Sequence, residues 1–460
     1  MLKIISMNTL LCGTPNQDLL KRIKEIKDIK VSFTIHDSKK FPSDLDILDL
    51  IKFNFDTSIK IEATQDAQKN YEKFYNDHFD TFVYQFVRRG LKILDVHELR
   101  NYFANYYYGF FNIVKEKKIE LMVFFSFPHC GPDLILYEIA KLMKIKKILM
   151  FQSIFPNKYF TMKNIEELGM RPNKTLNEKD KFTDDEIQFF QNKYAHKTKI
   201  DGEKLEEKRG KIYFKKRYFK NLIINFLIKI RFIYRETETV LDKRYLNNIK
   251  KLEKSLDEII KIKKNKKIIF FPMHWQPELS TSILGGNYED QLIVLERLSV
   301  FSKDNWIIVV KENILQTSYQ RKDFFFRRLK NLKNVYFVDS KINSKHIIDK
   351  ADVVATISGT AGFEALLKSK KCMVFGNSWY KSCHGVLVMN SSVSDEEINN
   401  FLNVKIDKSK TINDLKSLIS SCDQGVVDFD FKNLVENFDN DKNCHQVAIN
   451  IKNFINENFN

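Results

Sequence analysis

The second half of this chain carries six short runs of nearly unbroken β-branched and aromatic residues. They are KKIIFFPM (266–273), NWIIVVK (305–311), NVYFVD (334–339), DVVATIS (352–358), KCMVFG (371–376) and GVLVMN (385–390). A strand apolar on both sides must be covered on both sides, and helical patterns such as Glu289–Phe301 and Gly362–Lys368 stand between several of these runs. Together these features predict a doubly wound parallel sheet of the α/β class. The first ~150 residues repeat the alternation less cleanly. There, ELMVFFS (Glu120–Ser126), the loop FPHCGPD, the helix LILYEIAKLM and the strand KKILMFQS form one βαβ unit.

A chain of 460 residues exceeds what one hydrophobic core usually serves, so two domains are expected. The expected division is an N-terminal Rossmann-like domain over 1–205, a basic helical linker over 206–250, a C-terminal ligand-binding domain over 251–440, and a final helix over 441–460. Residues from Thr161 to Lys208 read as charged loop with helical pieces. Lys211–Arg235 holds eight Lys or Arg, no acidic residue and interleaved aromatics. It is either a basic amphipathic helix lying on anionic lipid or an interdomain helix, and its dense apolar residues favour the second.

The opening MLKIISMNTLLCG carries polar Ser6, Asn8 and Thr9 and only Lys3 before them, so it reads as a first strand rather than a signal sequence. No run approaches the ~20 apolar residues that span a bilayer. Six cysteines are scattered with no C-x-x-C pair, which argues against zinc and disulfide frameworks and for a reducing, cytoplasmic setting. The net charge of +17 is nearly all lysine. It has two readings, a biased composition and an anionic partner; without a recognition motif it does not point to nucleic acid.

In an open parallel sheet, ligands bind past the carboxyl ends of the strands, and those positions here are unusually polar. After the first run come His274, Gln276, Pro277 and Glu278; after the second, Lys311, Glu312 and Asn313; after the fourth, Ser358, Gly359, Thr360, Gly362 and Glu364. The last loop opens a helix, whose free N–H groups and positive dipole end suit a phosphate. Each residue also has a plain structural reading. His274 is either a phosphate or sugar donor or a hydrogen-bonded structural imidazole, Lys311 either a phosphate neutraliser or a surface lysine, and the Ser358–Glu364 loop either an anion site or a capped helix start.

In the N-terminal half, His129 and Asp133 follow a strand and precede a helix, where they are candidate acid/base groups. Asp133 reads equally well as a helix cap. No P-loop or dinucleotide fingerprint occurs, and no His/Cys cluster has metal spacing. The pairs Asp44/Asp46 and Asp428/Asp430 read as solvated turns rather than metal ligands. No metal is therefore expected, and positive groups with a helix dipole would stabilise a leaving nucleotide.

The HWQPE loop (274–278), the KEN loop (311–313) and TISGTAGFEALLKSKKCMVFGNSWY (356–380) resemble the bacterial capsule polysaccharide synthesis family, which includes Kdo transferases. The resemblance covers Ile268 to Val388 well and the N-terminal half only loosely, through SFPHCGPDLILYEIAK. It implies a GT-B-like enzyme with two Rossmann-like domains facing a central cleft, the nucleotide held by the C-terminal one. It also implies donor binding by His274, Gln276, Glu278, Lys311, Glu312, Ser358, Gly359, Thr360 and Glu364. The family's K-E-H-P reads Lys311-Glu312-Asn313-Ile314 here, which replaces an imidazole by an amide that bonds but carries no charge.

The functional expectation is a glycosyltransferase moving a sugar, with Kdo-like acids among the candidates, from a nucleotide donor to a lipid-linked or growing surface glycan. A CMP-linked donor is among the candidates, no cofactor is implied, and Glu278 joins His129 and Asp133 as a candidate catalytic group. Localisation would be cytoplasmic and peripheral at the inner membrane. The alternatives are a polyol-phosphate or other phospho-group transferase of the cell envelope, and a non-catalytic component of a capsule assembly or export complex.

Overall fold

The computed structural model describes residues 6–51, 61–87, 95–155, 157–170, 238–263, 265–302 and 305–459. The basic segment 211–235, and with it the two readings given for it, lies outside the described residues. The chain forms two compact units, 1–176 with 418–460, and 177–417.

The first unit holds β1 (Met7–Cys12), β2 (Ile29–His36), β3 (Leu45–Asp46), β4 (Leu121–Phe124), β5 (Lys146–Gln152) and β6 (Lys158–Met162), with the late strand β14 (Asp423–Gln424). Their order is β14-β6-β5-β4-β1-β2-β3. The run from β5 to β3 is parallel, while β6 and β14 join antiparallel at the edge. This is a Rossmann-like 3-2-1-4-5 arrangement with an antiparallel extension. Long helices Gln65–Val87 and Val96–Glu116 pack through aromatic rings, for example Phe74 on Tyr107 at 4.7 Å between centroids and Phe82 on Phe103 at 5.3 Å.

The chain's end returns to this unit. Helix Asn440–Asn458 buries Cys444, Val447, Ala448, Ile451 and Ile455, an apolar stripe at helical spacing. The stripe joins Leu19, Leu20 and Ile23 of helix Gln17–Lys24 in one core, and Asn16 Nδ2 donates to Asn440 Oδ1 at 2.9 Å. The expected C-terminal domain, drawn to residue 440, therefore gives up residues from 418 onward to the first unit. Local sequence cannot show which core a stripe completes.

The second unit contains β7 (Glu253–Lys254), β8 (Lys267–Pro272), β9 (Trp306–Lys311), β10 (Val335–Val338), β11 (Val353–Thr356), β12 (Lys371–Val374) and β13 (Val386–Val388). The order is β13-β12-β11-β8-β9-β10-β7, parallel throughout. Leaving aside the two-residue β7, this is the 3-2-1-4-5-6 doubly wound order. The six expected runs are the six long strands, and Ile269, Phe271, Ile308, Val310, Val353 and Ala355 bury one face of the sheet while Phe270, Ile307, Val309 and Val354 bury the other. Covering both faces is why these strands do not alternate polar and apolar.

The winding direction reverses between β8 and β11. Chain leaving β8 goes to β9 on one side, and chain leaving β11 goes to β12 on the other, so the two following loops start side by side at a topological switch point. HWQPE follows β8 and SGTAGFE follows β11.

Candidate functional site

His274 stands two residues past β8, and the buried Gln291 side chain holds its peptide on both sides. The His274 N–H donates to Gln291 Oε1 at 2.8 Å, and Gln291 Nε2 donates to the His274 carbonyl at 2.9 Å. The imidazole crosses the switch point. Its Nε2 lies 3.0 Å from Thr356 Oγ1 and 3.4 Å from the Ile357 N–H, and its Nδ1 lies 3.2 Å from Ser280 Oγ.

A backbone N–H only donates, so Nε2 accepts and Nδ1 carries the proton. Thr356 in turn accepts the Gly359 N–H at 3.2 Å. The resulting chain runs from the Gly359 N–H through the Thr356 hydroxyl and the His274 ring to Ser280 Oγ, which accepts from Nδ1. Ser358 Oγ closes the frame by donating to the Ser280 carbonyl at 2.8 Å. Burial pushes the His274 pKa down to about 4, so the ring is neutral at physiological pH. Of its two sequence readings, the structure supplies the geometry of the structural imidazole.

Gln276 and Glu312 are placed differently from the donor contacts that the resemblance implies. They are 1% and 2% exposed, and both bind a third buried residue, Arg321. Arg321 Nε donates to Glu312 Oε2 at 3.0 Å and Nη1 to Gln276 Oε1 at 2.8 Å, while the guanidinium packs over the Phe325 ring. Glu312 also hydrogen-bonds Tyr245 and accepts the Asn313 N–H. Thus Glu312 is the partner of Arg321 rather than of Lys311. These two residues hold the HWQPE and KEN loops together from behind instead of facing a ligand. Asn313 forms a turn with its own chain, Oδ1 accepting the Leu315 N–H at 3.0 Å.

Gly359 and Gly362 are both needed for close approach. A Cβ on Gly359 would sit 2.9 Å from His274 Cε1, and one on Gly362 would sit 2.2 Å from the Tyr380 hydroxyl and 2.7 Å from Cys372 Sγ. Gly362 is therefore a packing glycine under Tyr380, whose hydroxyl donates to the Gly359 carbonyl. Helix Thr360–Leu367 begins at Gly359 with no side-chain cap, and Thr360 is exposed, so first-turn N–H groups and a hydroxyl are presented at the switch point.

Around them gather Lys311 at the end of β9, whose Nζ donates to Ser344 Oγ at 3.3 Å, and Glu364, whose carboxyl pKa is raised by burial and drawn back by Lys345, Lys368 and Lys311. Glu278 is half-buried at the start of helix Leu279–Ser282. The arrangement offers an anion a helix N-terminus with lysines close by, and a hydroxyl-rich partner a half-buried carboxylate.

In the first unit, the Asp133 carboxylate accepts three backbone N–H groups, from His129 at 2.8 Å, Cys130 at 2.7 Å and Leu134 at 3.0 Å. It lies inside the first helical turn and ties down the preceding loop, while the helix itself starts at Gly131 with no side-chain cap, which departs from its reading as a helix cap. Engaged by three N–H groups and 8% exposed, the carboxylate is also poorly placed for its acid/base reading. His129, Cys130 and Asp133 bring one ligand atom each within 4.8 Å of one another, but the same three bonds engage the carboxylate. His129 Nδ1 lies 2.6 Å from the Phe127 carbonyl. Asp44 accepts the Thr34 N–H and hydroxyl, Asp46 accepts from Ser38, Leu48 and Asp49, and Asp428 caps Asp430, so both D-x-D pairs organise turns.

Sequence reasoning missed Gln291, Thr356, Ser280, Tyr380, Arg321 and Lys345. Thr356 alone had a local signal, a lone hydroxyl at the end of a buried strand. The others meet the loops only through the tertiary fold.

The model of the capsule polysaccharide biosynthesis protein family matches residues 191–393, within the second unit and including every candidate from His274 to Glu364. No curated protein sequence matches the chain. Among solved structures, the chain is similar to a β-Kdo 2,7 transferase, KpsC of Thermosulfurimonas dismutans, at 13% identity and TM-score 0.30, covering 72% of this chain and 87% of that one. The β-Kdo 2,4 transferase of the same organism follows at 12% identity and TM-score 0.30, covering 65% and 79%. UDP-GlcNAc 2-epimerase of Methanocaldococcus jannaschii follows at 12% and 0.25, covering 98% and 100%. No helix among the described residues is long and apolar enough to cross a membrane.

Proposed function

We propose, from the match of residues 191–393 to capsule polysaccharide biosynthesis proteins, that this chain is a nucleotide-sugar-dependent glycosyltransferase of surface polysaccharide synthesis. One observation carries the reading: the HWQPE and SGTAGFE loops meet at the β8/β11 switch point, locked by the contact of His274 Nε2 with Thr356 Oγ1, leaving an uncapped helix N-terminus beside Lys311. A donor phosphate sits at the first turn of helix Thr360–Leu367, where the N–H groups, the Thr360 hydroxyl and the lysines offset charge that grows as the sugar departs. Glu364 accepts from ribose hydroxyls. These positive groups suffice for a leaving nucleotide, so the reaction proceeds without a metal. A CMP-linked acidic sugar fits best, because one phosphate and one sugar carboxylate match a helix terminus and two lysines, Lys311 and Lys345.

The acceptor is a lipid-linked or growing glycan. Proton transfer falls to Glu278 or His129, the Asp133 carboxylate being engaged by three backbone N–H groups. Glu278→Gln and His129→Asn, assayed separately, identify which loses turnover while nucleotide binding persists.

The test is a thermal-shift titration with CMP, CDP, UDP and GDP on the wild type and on Ser358→Ala/Glu364→Ala. Stabilisation by one nucleotide, lost in the variant, supports the reading by mass action. No stabilisation at millimolar ligand refutes it and favours a non-catalytic assembly component. Transfer of a phospho-group instead of a sugar in product analysis favours the phosphotransferase alternative.

A further inference from the structure

The HWQPE loop holds one large side chain that the fold itself does not use. His274 turns inward to Thr356 and Ser280, and Gln276 turns inward to Arg321 and the Glu289 carbonyl. Trp275, between them, is partly buried, and among the described residues it makes no hydrogen bond and no aromatic contact. It belongs to neither of the two apolar clusters described in the second unit. Its indole N–H, though unpartnered, is not a buried group, so it is open to solvent. The chain's other two tryptophans serve packing: Trp306 is 8% exposed in the core, and Trp379 is 6% exposed against Phe363 and Tyr380.

The backbone on both sides of Trp275 is nevertheless fixed. The carbonyl of the preceding peptide accepts Gln291 Nε2 at 2.9 Å, and the N–H of the following one donates to Gln316 Oε1 at 2.9 Å, both glutamines being buried. An indole held this way loses little freedom when a ring packs on it. Its place in the sheet says what that ring belongs to. Trp275 follows His274, whose ring is so close to Gly359 that a Cβ there would lie 2.9 Å from Cε1, and helix Thr360–Leu367 starts at Gly359. The indole therefore stands one residue from the contact that borders the phosphate position. Being uncharged, it adds nothing for a phosphate, whereas its face suits a flat ring and its N–H a ring substituent.

We propose, resting on the nucleotide-sugar reading above, that Trp275 is the ring-stacking contact of the donor site, its indole covering a flat face of the nucleotide sugar. That face is the base or the apolar side of the sugar ring. The helix terminus and the lysines hold charge, and Trp275 supplies the apolar contact that they cannot.

The test is tryptophan fluorescence of the full chain, titrated with CMP, CDP, UDP and GDP and with UDP-GlcNAc, GDP-mannose and CMP-N-acetylneuraminic acid, with thermal shift in parallel. Wild type, Trp275→Phe and Trp275→Ala are compared. A ligand that stabilises the wild type should change its emission, and the change should vanish in Trp275→Phe, which keeps Trp306 and Trp379. Affinity should fall about tenfold or more in Trp275→Ala and less in Trp275→Phe, which retains a ring. A change caused by the nucleotide alone assigns the stacked ring to the base, and one that needs the nucleotide sugar assigns it to the sugar; both support the contact. Stabilisation with silent emission, an emission change that persists in Trp275→Phe, or undiminished affinity in Trp275→Ala overturns it and leaves the nucleotide-sugar reading standing. Stabilisation by none of these ligands overturns both.

Discussion

His274 Nε2 lies 3.0 Å from Thr356 Oγ1, joining residues 82 positions apart across the point where the second sheet reverses its winding. The contact couples the loop after β8 to the loop after β11, and the ring can make it as drawn only while neutral. Its depressed pKa of about 4 and the raised pKa of buried Glu289, about 7, give the unit two opposed pH dependences.

The signs follow from proton counts. Between about pH 4 and 6.5 the unfolded chain binds a proton at His274 that the folded chain does not, so stability rises with pH. Between 4.5 and about 7 folded Glu289 holds a proton that the unfolded chain has lost, so stability falls with pH. Each effect is worth at most roughly 3 kcal/mol. Urea unfolding of the wild type should show the two nearly cancelling from pH 4.5 to 6.5. His274→Gln should leave a falling slope and Glu289→Gln a rising one, and equal slopes in the two variants would refute the assignment.

Gly362→Ala should destabilise the second unit by about 1–3 kcal/mol, because its Cβ would meet the Tyr380 hydroxyl at 2.2 Å. Adding Tyr380→Phe removes the colliding oxygen and should recover part of the loss. A thermal-denaturation double-mutant cycle with no coupling between the two would exclude this contact as the cause.

Removing one member of the Glu312–Arg321 pair strands the other. Glu312→Ala should therefore cost about 3–5 kcal/mol in chemical denaturation, and Glu312→Leu/Arg321→Met distinctly less. A double variant as unstable as the single one would mean that the pair is not what the loops rest on.

Lys345 stands one residue beyond Ser344, the partner of Lys311 Nζ, and is one of the cations acting on Glu364. Lys345→Ala and Lys311→Ala should each weaken binding of the stabilising nucleotide about 5- to 20-fold while the melting temperature of the free protein changes little. Unchanged nucleotide affinity in both would separate the lysines from the donor site.

The six apolar runs of the second half determined their own strands, because residues that must be buried on two faces have few other conformations. The polar loops after them were legible as lying past the carboxyl ends of the strands, where His274 and Thr356 meet. The apolar stripe of helix Asn440–Asn458 was equally legible as a helix. That it completes the first unit's core was not, since a stripe records that it needs burial and carries no address for the partner.

The same limit divides the site. Ser358, Thr360, Lys311 and Glu364 were marked by following a strand, a local property. Only the tertiary structure turned Gln276 and Glu312 inward to Arg321 and set both Lys345 and Lys311 to act on Glu364. Hydrogen-bond partnership depends on distances of about 3 Å, and residues far apart in sequence reach that distance only when the sheet order brings their loops together.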